Sequence, residues 1–311
     1  MKNVHLCCVS LFVVAILYLA GCGEVIPIAT VPDAENSLIT VDGRLFVTGS
    51  FNLYEITKDS DGAFVNHRVI EEDLYFGGID EYKGRLYTLK SNPGLNILLK
   101  PDPSLVIADL QAMDPFAGPQ PLDTLFTDIP LPDMSMPNGL VIDKKGHLYI
   151  SDTLKGKIFR FDILDDDLST LDGPFDTGLE GLGSPNGLAV DGDVLFFTDG
   201  GSVKKTMILD GGALGPAQTL FSGRFLLDDL TVYQGCPVVC DYVSGTVFQL
   251  SATGEIMRET KLETFAFPSS VNLAQGPLFT EGDILVTEKG VIYEPTSDFG
   301  NRIVLFEITE P

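Results

Sequence analysis

Pro137-Asn138-Gly139-Leu140-Val141-Ile142-Asp143, continuing through Leu148-Tyr149-Ile150-Ser151-Asp152 and Lys157-Ile158-Phe159-Arg160-Phe161-Asp162, is a stretch this chain writes again. The second copy starts 48 residues on, as Pro185-Asn186-Gly187-Leu188-Ala189-Val190-Asp191 and Leu195-Phe196-Phe197-Thr198-Asp199, with a weaker third run at Val203–Ile208. Each copy reads as a short apolar strand, a Gly-containing turn, a second strand closed by Ser/Thr-Asp, and a third strand. Short strands separated by turn signals mark an all-β array. A recurrence of this length marks a propeller or a solenoid.

Working outward, Asn36–Val41, Gly43–Gly49, Phe51–Thr57 and Phe64–Ile70 form a first unit. A second opens at Phe76-Gly77-Gly78-Ile79 and continues through Arg85–Leu89; a Pro/Gly-rich insertion blurs it between Asn92 and Pro121, and Leu122–Thr127 closes it. The two clear copies follow, with outer strands near Ser169–Phe175 and Ala217–Ser222. A fifth unit takes Leu227–Val232, Pro237–Asp241 and Thr246–Leu250; a sixth takes Pro268–Ala274, Ile284–Glu288 and Arg302–Ile308, with a loop inserted at Val291–Asn301. The sixth unit lacks an outer strand, and Glu24–Val31 has no other home. Supplying one from the other closes a ring and removes exposed edges. The expected fold is therefore an all-β, six-bladed β-propeller of four-stranded antiparallel blades, closed by an N-terminal strand, with residues 22–311 as one domain.

Composition narrows the function classes. The 311 residues are 44% hydrophobic, enough for a large core, and carry a net charge of −24. Such a surface repels phosphate backbones and anionic lipid, which excludes nucleic acid as a partner, and it favours cations. Charge of this size also serves solubility alone.

Met1-Lys2 and the apolar run Val4–Leu19 read as an export signal, residues 1–21, rather than a fold element. Its end, Leu19-Ala20-Gly21-Cys22, resembles the lipobox of bacterial lipoproteins. That resemblance implies acylation of Cys22 and a protein tethered to the bacterial cell envelope by lipid alone, facing the periplasm or the exterior. No later run is long enough to span a bilayer. Of five cysteines, Cys236 and Cys240 lie beyond the leader. Four residues apart on a strand they stand about 13 Å from each other, too far for a disulfide, and read as small buried side chains.

In a propeller the residue at the start of each innermost strand lies at one mouth of the central channel. Counting back from the second strand finds these positions: ten residues for Glu35 before Leu45 and Asn138 before Leu148, nine for Asn186 before Leu195 and Asp228 before Pro237. Gly77 holds the second unit's position, and the sixth unit, opening near Ser269, fits the ruler poorly. Glu35, Asn138, Asn186 and Asp228 thus point to one place, with Asp229 alongside. All are oxygen donors suited to calcium, magnesium or manganese rather than zinc or copper. Crowded carboxylates raise one another's pKa unless a cation is bound. The competing reading is turn chemistry, in which Pro fixes φ while Asn and Gly accept left-handed conformations. Asp152, Asp199 and Asp241 recur in one place and read as structural.

At these residues the chain resembles the senescence-marker-protein/gluconolactonase (regucalcin-like) superfamily of six-bladed calcium propellers, related to the paraoxonases. The resemblance implies a divalent cation, calcium first, held by Glu35, Asn186 and Asp228, with Asn138 where relatives carry a substrate-contacting pair. It also implies a monomeric hydrolase of small lactones or esters, with Asp228 or Asp229 as general base. Asn36-Ser37 replaces the family's Gly-Pro after the Glu, and the paraoxonase-type catalytic His falls at Asn138 and is absent. The alternative is a non-catalytic envelope propeller that binds a ligand or a protein; a strictosidine-synthase-like enzyme is a third reading.

Overall fold

The structure, a computed structural model, describes residues 23–164, 167–279, 282–291, 294 and 296–308. The leader and Cys22 lie outside them. Six four-stranded antiparallel sheets form a ring. The first blade holds β2 (Ala34–Ile39), β3 (Leu45–Gly49), β4 (Leu53–Lys58) and β5 (Phe64–Arg68). The second holds β6 (Tyr75–Tyr82), β7 (Arg85–Ser91), β8 (Ser104–Asp109) and β9 (Phe126–Pro130). The third runs through β10 (Pro137–Ile142), β11 (His147–Asp152), β12 (Lys157–Leu164) and β13 (Asp167–Asp176). The fourth runs through β14 (Pro185–Asp191), β15 (Val194–Asp199), β16 (Ser202–Met207) and β17 (Gln218–Ser222). The fifth comprises β18 (Leu227–Tyr233), β19 (Cys236–Asp241), β20 (Thr246–Leu250) and β21 (Ile256–Glu259). The sixth comprises β22 (Pro268–Leu273), β23 (Ile284–Glu288) and β24 (Arg302–Ile308), and its outer edge is β1 (Gly23–Thr30). β1 pairs antiparallel with β24 from Gly23↔Ile308 to Thr30↔Arg302, so strands from both chain ends close the ring.

An apolar core fills each of the six seams between blades. This is why the second strands read as continuous apolar runs: Leu45–Gly49 and Ile284–Glu288 are buried along their whole length, each facing a seam on both sides. Phe197 packs into the seam with the third blade and Phe196 into the seam with the fifth, as alternation across a strand dictates.

Two expectations are corrected. In the second blade Leu122–Leu125 is one helical turn, and the closing strand starts only at Phe126. The blurred insertion hides a full strand, β8, whose first five residues are buried. The chain leaves the sheet after β7, makes a helical turn at Asn96–Leu99 and returns, which breaks the spacing on which strand reading relies. Both Cys236 and Cys240 are free, as spacing requires, but only Cys240 is buried; Cys236 is half-exposed.

The site depends on a feature that all six innermost strands share. Near its start, each slips register by one residue against its neighbour: at Ala34/Ser37, Phe76/Ile79, Pro137/Leu140, Pro185/Leu188, Leu227/Leu230 and Pro268/Ser270. A bulge of this kind bends the strand and re-aims a side chain. The bulged positions are Glu35, Gly77, Asn138, Asn186, Asp228 and Ser269. Ser269 therefore takes its place in the series despite the longer turn that follows it.

Candidate functional site at the channel mouth

The bulges bring neighbouring blades into direct backbone contact. A Cβ on Gly78 would stand 2.6 Å from the Asn138 carbonyl oxygen, one on Gly139 would stand 2.2 Å from that of Asn186, and one on Gly187 would stand 2.5 Å from the Asp229 Cα. None of these glycines has a positive φ. Their role in Asn-Gly is thus close approach of the next blade, not a left-handed turn, which overturns the turn reading of Pro-Asn-Gly.

Buried hydroxyls lock two of these contacts. Ser151 Oγ accepts from Gly139 N at 2.8 Å and donates to the Asn186 carbonyl at 2.6 Å. Thr198 Oγ1 accepts from Gly187 N at 3.0 Å and donates to the Asp228 carbonyl at 2.5 Å. In the first blade Thr48 Oγ1 accepts from Asn36 N at 2.9 Å. In the third and fourth blades one buried hydroxyl thereby fixes its own bulge and the bulge of the next blade. The signal was present in sequence as the Ser and Thr before Asp152 and Asp199. The terminal acids hold the loops outside: Asp152 accepts from the backbone N–H groups of Ser135, Met136 and Lys155, and Asp199 from those of Gly183 and Ser184.

Among the predicted residues, the structure joins Asn186 and Asp228 directly, with Asn186 Nδ2 donating to Asp228 Oδ1 at 2.6 Å. Asp229, next along β18, lines a cavity of about 380 Å³ in the channel, together with Asp80, Leu140, Leu188, Leu230 and Asn272. Burial pushes both carboxyl pKa values well above the ordinary range; at Asp228 repulsion by Asp229 adds to it, and the Asn186 amide offsets part. Asn138 is buried at the same level of the third blade. Glu35 is buried too, but its carboxylate accepts from Lys289 Nζ, an ion pair that sequence reading missed. Asp33 Oδ1 lies 3.6 Å from the same ammonium. Among the described residues no three His, Cys, Asp or Glu side chains converge on one point. His147 bonds Asp143 at 2.8 Å and His67 bonds Thr57 at 2.9 Å, both on other strands of their blades than the innermost.

The donor chemistry fits a hard cation. Two half-buried carboxyls that desolvation disfavours as anions, flanked by side-chain amides and without His or Cys, are what such an ion compensates. Asp228, Asn186, Asn138 and Glu35 are the residues that would hold it, and Glu35 is engaged with an ammonium.

No family model and no curated protein matches this chain. Solved structures do. A gluconolactonase of Xanthomonas campestris is 14% identical, with 93% of this chain and 91% of that one covered at a TM-score of 0.62. The calcium-binding protein regucalcin of Agrobacterium tumefaciens is 12% identical, with 93% and 94% covered at 0.62. Virginiamycin B lyase of Staphylococcus aureus is 13% identical, with 86% and 82% covered at 0.51. The shared property is the architecture. A gluconolactonase, a calcium-binding protein and a lyase all match this fold, so at these identities the chain is a six-bladed propeller similar in shape to the gluconolactonase and regucalcin, and its chemistry rests on its own residues.

Proposed function

We propose that this protein hydrolyses small lactones or related esters at the channel mouth, with a divalent cation of the calcium type held by Asp228, Asn186, Asn138 and Glu35. The observation that carries the reading is the half-buried Asp228–Asp229 pair, with Asp228 held by the Asn186 amide and Asp229 lining the channel cavity. When bound, the cation supplies Lewis-acid polarisation of the carbonyl and acidifies water. The chain's own residues do the rest. The Asp228–Asp229 pair accepts the proton of the attacking water, a role suited to a carboxyl whose pKa is raised toward neutrality. Asn138, buried in the next blade but one, orients the carbonyl by its amide. Leu140, Leu188 and Leu230 line the cavity below the mouth together with Asp80 and Asn272. The export signal and Cys22 support a lipid-tethered envelope protein.

The test is lactone hydrolysis by the purified mature chain with added calcium, before and after chelation, for wild type and Asp228→Ala. Loss of about a hundredfold or more in the variant, and loss on chelation, is the expected result. A second reading, ligand binding without turnover, is favoured by the engagement of Glu35 with Lys289. Calcium binding together with equal, background rates for wild type and Asp228→Ala would select it.

A further inference from the structure

Glu288 closes β23 where Asp152 and Asp199 close their strands, so Lys289 stands in the place of Thr153 and Gly200. The corresponding residues of the first and fifth blades are Ser50 and Tyr242. Thr153 uses this position to donate its hydroxyl across the seam to the Pro185 carbonyl at 2.9 Å. Lys289 reaches across the seam between the sixth and first blades in the same way, but with a charge. Its Nζ donates to Glu35 and lies 3.6 Å from Asp33 Oδ1. Lys289 is 8% exposed, Glu35 7% and Asp33 0%. An ammonium stays this deep only while carboxylates compensate it. The Glu35 oxygen it occupies is the one that a channel cation needs, and two positive charges within a few ångströms repel strongly in a low-dielectric site.

We propose that Lys289 is an internal cation competing with the divalent ion for Glu35. The metal-free mouth is held by the ammonium, and loading requires Lys289 to leave Glu35 for Asp33, which lies close enough to keep it paired. Lys289 thereby sets the site's affinity below what its oxygen donors alone would give, and it makes Glu35 the last ligand to engage. The inference rests on the cation placed at this mouth under the proposed function.

Two measurements test it. Isothermal titration with calcium alone compares wild type with Lys289→Met; the variant is expected to bind about ten- to a hundredfold tighter, the equivalent of one charge-assisted hydrogen bond no longer displaced. On the unaltered protein, NMR of 15N-labelled lysine side chains is expected to show the Lys289 ammonium resonance move as calcium is added to saturation, as its partner changes from Glu35 to Asp33. This second readout does not depend on the variant folding. Calcium bound by Lys289→Met alone also supports the proposal. Calcium bound by wild type with no gain in the variant, or with the Lys289 ammonium resonance unmoved, overturns this inference and leaves the metal site standing. Calcium bound by neither chain overturns both.

Discussion

Removal of one hydroxyl, in Thr198→Val, tests whether the candidate site is held by the contact between blades. Thr198 is fully buried, and its Oγ1 serves the Gly187 N–H and the Asp228 carbonyl at 3.0 and 2.5 Å. Valine keeps the shape and loses both bonds, leaving one donor and one acceptor in a seam that water does not reach. Each orphaned group costs about 1–3 kcal/mol, so the pair costs about 2–6 kcal/mol. For a chain of this length that lowers Tm by about 3–10 °C. Thr198→Ser restores the hydroxyl and gives up one buried methyl, a loss of about 1 kcal/mol. The assay is thermal unfolding of the three proteins followed by circular dichroism, repeated with saturating calcium. Because Asp228 sits on the released carbonyl, calcium is expected to raise the Tm of Thr198→Val less than that of wild type. A Tm for Thr198→Val within about 1 °C of wild type, or below which Thr198→Ser falls further still, would refute the role given to the bridging hydroxyl.

The other predictions address the same mouth from different sides. Gly187→Ala brings a Cβ to 2.3 Å from Asp229 Oδ1 and 2.5 Å from its Cα, and is expected to cost about 1–3 kcal/mol and weaken calcium binding; Gly183→Ala, whose nearest contact is 3.5 Å, is expected to be neutral in a urea titration. Burial raises the Asp80 carboxyl from 3.8 to about 7, so between those values the unfolded chain ionises while the folded chain keeps its proton. Stability therefore falls as pH rises through that window, by about 1.4 kcal/mol per pH unit for this group, and Asp228 and Asp229 push in the same direction. Asp80→Asn keeps only one of the two oxygens that accept from the Ile142 and Glu81 N–H groups, a cost that does not vary with pH, and it removes the pH-dependent part. The difference in unfolding free energy between wild type and Asp80→Asn should thus shift in the variant's favour from pH 4.5 to 7; a difference that stays constant would exclude the protonated Asp80.

Much of the ring could be read directly. The repeated strands and the unpartnered Glu24–Val31 imply six blades and a closure by both chain ends, because strand alternation and edge pairing are local rules that leave few alternatives. The position of Glu35, Asn138, Asn186 and Asp228 at one level followed from the same rules. Strand β8 did not, since a helical turn and a Pro/Gly-rich loop break the spacing around it.

The tertiary structure decided what those residues do to each other. Asn-Gly at 138–139 and 186–187 has the composition of a turn, and only the packing of the next blade shows that the glycine makes room for a backbone. The Ser and Thr before Asp152 and Asp199 are unremarkable in a strand until the hydroxyl is seen bridging two bulges. Lys289 and Glu35 are 254 residues apart, and no local pattern pairs them. Periodicity is a property of neighbours along the chain, so sequence alone determines the blades; the charge balance of the mouth is a property of neighbours across a seam, and it exists only once the ring has closed.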